Sequence, residues 1–63
     1  MKVGELRNLK EEIGNPVDRN GKTCAFKYKH YEIFAEEKVT GEVYEIIRIY
    51  DNKIRKYVDE IKD

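Results

Sequence analysis

The sequence predicts an α+β fold in which an N-terminal helix, a two- or three-stranded antiparallel sheet and a C-terminal helix follow one another. Apolar residues recur every three or four positions near both ends of the chain, which is the period of an amphipathic helix. β-branched and aromatic residues dominate the middle, as they do in strands. No internal repeat or linker-like composition divides the chain, so we expect a single domain over residues 1–63.

The first predicted element is a helix over residues 3–13. Its apolar face is formed by residues at spacings of three and four: Val3, Leu6, Leu9 and Ile13. Gly14 tolerates the positive φ that often ends a helix, and Pro16 cannot continue one because it lacks an N–H. Residues 14–22 are rich in Gly, Asn, Asp and Pro, so this segment is predicted to be a loop.

Two strand regions are predicted in the middle of the chain. Residues 23–35 are rich in aromatic and β-branched types, but their alternation changes phase, which indicates a bulge or tight turn near Lys29 and His30. Residues 36–41 are predicted to form a turn. Six of the eight residues in 43–50 are β-branched or aromatic, which predicts a second strand region.

The C-terminal segment is open to two interpretations. After a break at Asp51 and Asn52, a short amphipathic helix is indicated by apolar residues at helical spacing: Ile54, Tyr57, Val58 and Ile61. One long helix over residues 42–62 would also gather apolar residues on one side. That helix would place Asp51 within its apolar stripe, so we favour a strand followed by a helix.

Side chains that support catalysis or metal binding are scarce. The chain has no serine, and Cys24 and His30 are its only cysteine and histidine, too few for a tetrahedral metal site. Gly21-Lys22-Thr23 matches the end of a phosphate-binding loop, but Pro16 stands where that motif requires its first glycine. We therefore expect a non-enzymatic protein with no catalytic site, no cofactor and no metal ion.

Charge argues against binding that is driven by net charge, and hydropathy argues against a secreted or membrane protein. Thirteen basic and thirteen acidic residues cancel, so the chain has no overall field that would attract a polyanion. No apolar run is long enough for a signal peptide or a membrane-spanning helix, so we expect a cytoplasmic protein that does not bind membranes.

Two surfaces are predicted to bind partners. The strand at 43–50 is apolar on both faces, which favours burial against a second copy of the chain or another protein, through Tyr44, Ile46 and Tyr50. A basic, aromatic segment favours nucleic-acid contact through Lys22, Lys27, Tyr28, Lys29 and Tyr31. Lysines that oppose glutamates across a hairpin would explain these charges without a ligand. The leading expectation is a homodimeric protein-binding or regulatory module, and nucleic-acid binding is the alternative.

Overall fold

A six-stranded antiparallel sheet dominates residues 1–62, which are the residues that the computed structural model describes. In chain order the elements are β1 (Leu6–Arg7), α1 (Leu9–Ile13), β2 (Asp18–Asn20), β3 (Thr23–Tyr28), β4 (Tyr31–Val39), β5 (Val43–Asp51) and β6 (Lys56–Val58). The predicted α+β fold is therefore wrong. Residues 1–62 are mostly β-sheet, and the one helix among them has five residues.

Four strands of the sheet form a meander, and segments near both ends of the chain pair with its last strand, β5. Strands β2, β3, β4 and β5 are neighbours in sequence order, while β1 and β6 both pair with the free edge of β5. The two terminal segments also pair with each other. The N–H of Val3 donates to the carbonyl of Asp59 at 2.9 Å, and the N–H of Ile61 donates to the carbonyl of Met1 at 2.7 Å. Both ends of the chain thus close one edge of the sheet.

Two β-bulges change which side chains of β4 and β5 face the core. Ile47 is the extra residue of one bulge, because its neighbours Ile46 and Arg48 oppose consecutive residues of β4. The extra residue reverses the later alternation, so Ile46 and Ile49 are both buried although they are three positions apart. Lys38 is the extra residue of the second bulge.

The core lies on one face of the sheet. Its members are apolar residues of which at most 3% of the surface is exposed: Leu9, Cys24, Phe26, Ile33, Ala35, Tyr44, Ile46, Ile49 and Ile61. Phe26 and Tyr44 meet edge to face at its centre, with ring centroids 5.0 Å apart. The face turned away from this core is called the outer face below.

The predicted N-terminal helix is wrong except for its last turn and a half. Gly4 has a φ of 89°, which interrupts a right-handed helix, and Leu6 lies in β1 with 61% of its surface exposed. The helix begins only after Asn8, whose side chain accepts a hydrogen bond from the N–H of Glu11. Leu9 is its only buried residue.

The predicted C-terminal helix is also wrong. Residues 52–55 form a turn in which Arg55 has a φ of 56°, and β6 follows. Ile54 and Tyr57 are 55% and 62% exposed, so residues at helical spacing share no buried face. Val58 is half-buried because it pairs with Ile49 of β5.

The middle of the chain follows the sequence more closely. The strand predicted at 43–50 is confirmed as β5, and the turn predicted near Lys29 and His30 is confirmed between β3 and β4. The turn predicted at 36–41 is wrong at its start, because β4 extends to Val39. Within residues 1–62, no helix has the length and apolar character needed to cross a membrane.

Candidate functional site

The outer face carries three aromatic side chains grouped around an arginine. Phe34 of β4 directly opposes Arg48 of β5, and Tyr50 of β5 directly opposes Tyr57 of β6. Directly opposed residues on one face of an antiparallel pair are in contact distance. We call Phe34, Arg48, Tyr50 and Tyr57 the aromatic patch.

The side chains of the aromatic patch contact one another. The guanidinium carbon of Arg48 lies 4.9 Å from the ring centroid of Phe34 and 6.0 Å from that of Tyr57, which are cation–π distances. Tyr50 and Tyr57 meet at 5.0 Å between centroids with planes 72° apart. Among residues 1–62, no carboxylate forms an ion pair with Arg48, so its charge remains available to an anion.

A groove of about 280 Å³ adjoins the aromatic patch. It lies along β5, where β1 pairs with the first half of the strand and β6 with the last. It is lined by Val3, Ile47, Arg48, Ile49, Tyr57, Val58 and Asp59. Arg48 and Tyr57 belong to both the groove and the aromatic patch, so the two form one continuous surface.

Basic residues are concentrated at the end of the sheet next to the aromatic patch. Two turns meet there, because the N–H of Asn52 donates to the carbonyl of His30 at 3.0 Å. Residues 27–32 and 48–57 together contain six basic and two acidic residues, whereas the rest of the chain contains seven basic and eleven acidic residues. The net charge of zero is therefore the sum of a basic region at this end of the sheet and an acidic remainder. We call the exposed residues Lys27, Lys29, Lys53, Arg55 and Lys56 the basic end.

His30 and Asp51 contribute to the structure of the basic end. His30 Nε2 lies 3.3 Å from Asp51 Oδ1, and this oxygen also accepts hydrogen bonds from the N–H groups of Lys53 and Ile54. The buried carboxylate thus holds the turn that presents Lys53 and Arg55. His30 also stacks on Tyr31, with ring centroids 4.1 Å apart.

A second buried carboxylate, Glu37, lies at the opposite end of β4. It accepts hydrogen bonds from the Arg19 guanidinium, from the N–H of Gly41 at 2.8 Å and from the hydroxyl of Tyr44 at 3.3 Å. The Arg19 hydrogen bond is the main reason that the pKa of Glu37 lies below its usual value. Burial raises the pKa of Tyr44. A carboxylate that is ionised at neutral pH and accepts these three groups of hydrogen bonds holds a turn in place and is a poor proton acceptor there.

The residues predicted to bind a protein partner do not form one surface. Tyr44 and Ile46 are 1% and 0% exposed and belong to the core, whereas Tyr50 is half-buried on the outer face. An unbroken strand would place all three on one face, because they are an even number of residues apart. The bulge at Ile47 reverses the alternation between Ile46 and Tyr50, so that only Tyr50 is available to a partner.

The residues predicted to contact nucleic acid are divided between two faces and two ends. Lys27 lies on the outer face directly opposite Glu32, as the hairpin alternative requires, and Lys29 lies in the adjoining turn. Tyr28 and Tyr31 oppose each other on the inner face and pack against the core. The remaining residue, Lys22, lies before β3, at the far end of the sheet from the basic end.

Cys24 and His30 are not brought together as metal ligands. Cys24 is fully buried near the start of β3, and His30 follows the end of the same strand. Across residues 1–62, no group of three or more His, Cys, Asp or Glu side chains is arranged to hold a metal ion.

Comparison with known proteins finds no relative. The chain matches no protein-family model, and no curated protein and no solved structure shows significant similarity to it.

Proposed function

We propose that the protein is a non-enzymatic, cytoplasmic protein that binds single-stranded nucleic acid through the aromatic patch and the basic end. The observation that supports this proposal is the position of the aromatic patch, on the outer face of the sheet and next to the end that carries the exposed cations. Proteins that bind single strands combine aromatic rings, on which bases stack, with basic side chains that follow the phosphates. A sheet that displays aromatic residues is one known platform for this contact.

The geometry favours a single strand over a duplex. Aromatic side chains stack on the faces of bases, and these faces are accessible only where the bases are unpaired. The major groove of a duplex is read by a helix or by a two-stranded ribbon that enters it. The only helix in residues 1–62 has five residues, and the aromatic patch is spread over the three adjacent strands β4, β5 and β6.

Local charge supplies the electrostatic attraction that the net charge lacks. Fields from exposed charges decay within about 10 Å at 0.1 M salt, so a polyanion responds mainly to the charges nearest to it. Within residues 1–62 those charges at the basic end include the exposed cations Lys27, Lys53 and Arg55, and the nearby acid Asp51 is buried beneath the turn. Within the described residues, the half-buried acid Glu32 directly opposes Lys27.

Fluorescence anisotropy with a labelled oligothymidylate tests the proposal. Tyr57→Ala should weaken binding by about 1–3 kcal/mol, or about 5- to 150-fold, if one base stacks on this ring. Leu6→Ala is the matched control, because Leu6 is equally exposed at 61% but lies outside the aromatic patch. The proposal is contradicted if the parent does not bind or if the two variants lose affinity equally.

Charge reversal gives an independent measurement. The double variant Lys53→Glu with Arg55→Glu, both in the exposed turn, should weaken binding and reduce the slope of log K against log salt by about 1.4, since each phosphate contact contributes about 0.7. Lys10→Glu with Lys22→Glu is the matched control, because these two lysines are exposed away from the basic end. Equal slopes for both double variants would argue against a phosphate track at the basic end.

Protein binding is the second candidate function, and the apolar groove is the observation that favours it. Tyr and Arg are common in protein interfaces, and the exposed Val3 and Ile47 extend the apolar surface beside Tyr57. The partner proposed here is a second copy of the chain. A two-fold contact through the groove uses the same residues of both copies, so Arg48 and Asp59 contribute charges of opposite sign to it. Sedimentation that shows a 7.5 kDa species at all concentrations would exclude this dimer.

A further inference from the structure

We infer that the groove beside the aromatic patch reads one base of the bound strand and selects guanine through the carboxylate of Asp59. The inference rests on the proposed function, because it assigns a base preference to the same surface. Asp59 lies outside the aromatic patch.

The position and size of the groove fit a single base. Arg48 and Tyr57 line the groove. When one base of a strand stacks on Tyr57, the neighbouring base therefore lies at the groove opening. Its volume of about 280 Å³ lies just under the roughly 300–1,000 Å³ of pockets that enclose drug-sized ligands. A flat ring system of one base is thus a closer match than a larger cofactor.

The lining of the groove provides apolar walls and two charged groups. Its apolar members are Val3, Ile47, Ile49 and Val58, and its charged members are Arg48 and Asp59. Apolar walls with a few convergent polar groups are typical of ligand sites, because the walls bury the flat faces while the polar groups fix orientation. Here Arg48 suits a phosphate and leaves Asp59 to contact the base edge.

The carboxylate of Asp59 is available to a ligand. Among residues 1–62 no hydrogen bond or ion pair engages its side chain, which is exposed, while its backbone carbonyl accepts the N–H of Val3 at 2.9 Å. Asp59 directly follows β6, where Val58 pairs with Ile49, and the next residue, Glu60, is bridged to Lys2. Backbone pairing on both sides thus fixes the residue that carries the free carboxylate.

Guanine is the base whose exposed edge best matches a carboxylate. An ionised carboxylate only accepts hydrogen bonds, and its two oxygens accept two parallel donors. The Watson–Crick edge of guanine presents two adjacent donors, the ring N–H and the amino group. Adenine and cytosine present one amino group beside an acceptor, and thymine presents one N–H between two carbonyls. Single-stranded recognition reads this edge because it is unpaired.

The test compares four oligonucleotides by fluorescence anisotropy at one salt concentration. The first is an oligothymidylate, and the others carry one central guanine, adenine or cytosine in place of thymine. We expect the parent to bind the guanine oligonucleotide about 5- to 150-fold more tightly than the other three, the range expected for a good bidentate contact to a base. In Asp59→Asn this ratio should fall to about one. In Glu60→Gln, the matched control outside the groove, the ratio should persist.

The outcomes separate this inference from the proposed function. Equal binding of all four oligonucleotides by the parent would overturn the inference and leave single-strand binding intact. Preference for another base, or a guanine preference that survives in Asp59→Asn, would also overturn it. Failure of the parent to bind any of the four would overturn the proposed function, and the inference with it. Circular dichroism of each variant verifies that a lost preference is not lost folding.

Discussion

Two isoleucines of the C-terminal segment provide a matched test of the sheet structure at this end of the chain. A helix would bury Ile54 and Ile61 on one stripe, whereas the structure leaves Ile54 55% exposed and Ile61 only 3% exposed. Replacement of isoleucine by alanine removes three carbons, worth about 2.4 kcal/mol when fully buried at about 0.8 kcal/mol each. The cavity left at Ile61 adds to this term, so Ile61→Ala should cost about 2–5 kcal/mol. Scaled by its buried fraction, Ile54→Ala should cost about 1 kcal/mol or less.

Urea unfolding followed by circular dichroism measures both free energies. A chain of this length has a free energy of unfolding of about 3–9 kcal/mol, so Ile61→Ala removes a large share of it. Ile61→Val, which should cost about 0.5–1.5 kcal/mol, gives a measurable value if the alanine variant does not fold. Equal losses at Ile54 and Ile61 would refute the β-structured C-terminus and support a helix. No loss at Ile61 would show that the segment does not pack against the core.

The remaining predictions concern a buried carboxylate and a buried thiol. Because Arg19 holds the pKa of Glu37 below 4.5, the folded state favours the carboxylate, and its contribution to stability should be lost as pH falls below 4.5 through this lowered pKa. Glu37→Gln should therefore show a smaller drop in melting temperature between pH 7 and pH 3 than the parent, and an equal drop would contradict the assignment. Cys24 is fully buried, so a thiol reagent should label it slowly in buffer and completely in urea; rapid labelling in buffer would show that the core opens easily.

The sequence predicts β3, β5 and the first half of β4 well and the short strands poorly, for a physical reason. In β5, composition alone is sufficient, because branched and aromatic side chains favour an extended backbone. β1 and β6 have two and three residues, and they exist because the edge of β5 supplies backbone partners. Side-chain spacing at three and four residues does not report such long-range pairing. Short helices are also marginal in water, so the helices predicted near the two ends of the chain would add little stability if they formed instead of β1 and β6.

The candidate site could be predicted only in part. Tyr50, Lys27 and Lys29 were identifiable as aromatic or basic residues in strand-rich segments, and the structure places them at or beside the aromatic patch. Arg48 and Tyr57 were missed. Their position depends on the bulge at Ile47 and on the pairing of β6 with β5, and a bulge has no clear signature in one sequence.

Contacts within the aromatic patch also stabilise the sheet, which determines how its function is separated from its folding. Phe34 and Arg48 are opposed in the centre of the sheet, so replacement of either removes a cross-strand pair worth about 0.2–1 kcal/mol. Tyr57 differs, because β6 is an edge strand and 62% of the residue remains exposed. Truncation of Tyr57 therefore removes most of an accessible ring with little change to the core. If Tyr57→Ala reduces affinity for a single strand and leaves the unfolding midpoint nearly unchanged, the aromatic patch is a binding surface in addition to a stabilising one.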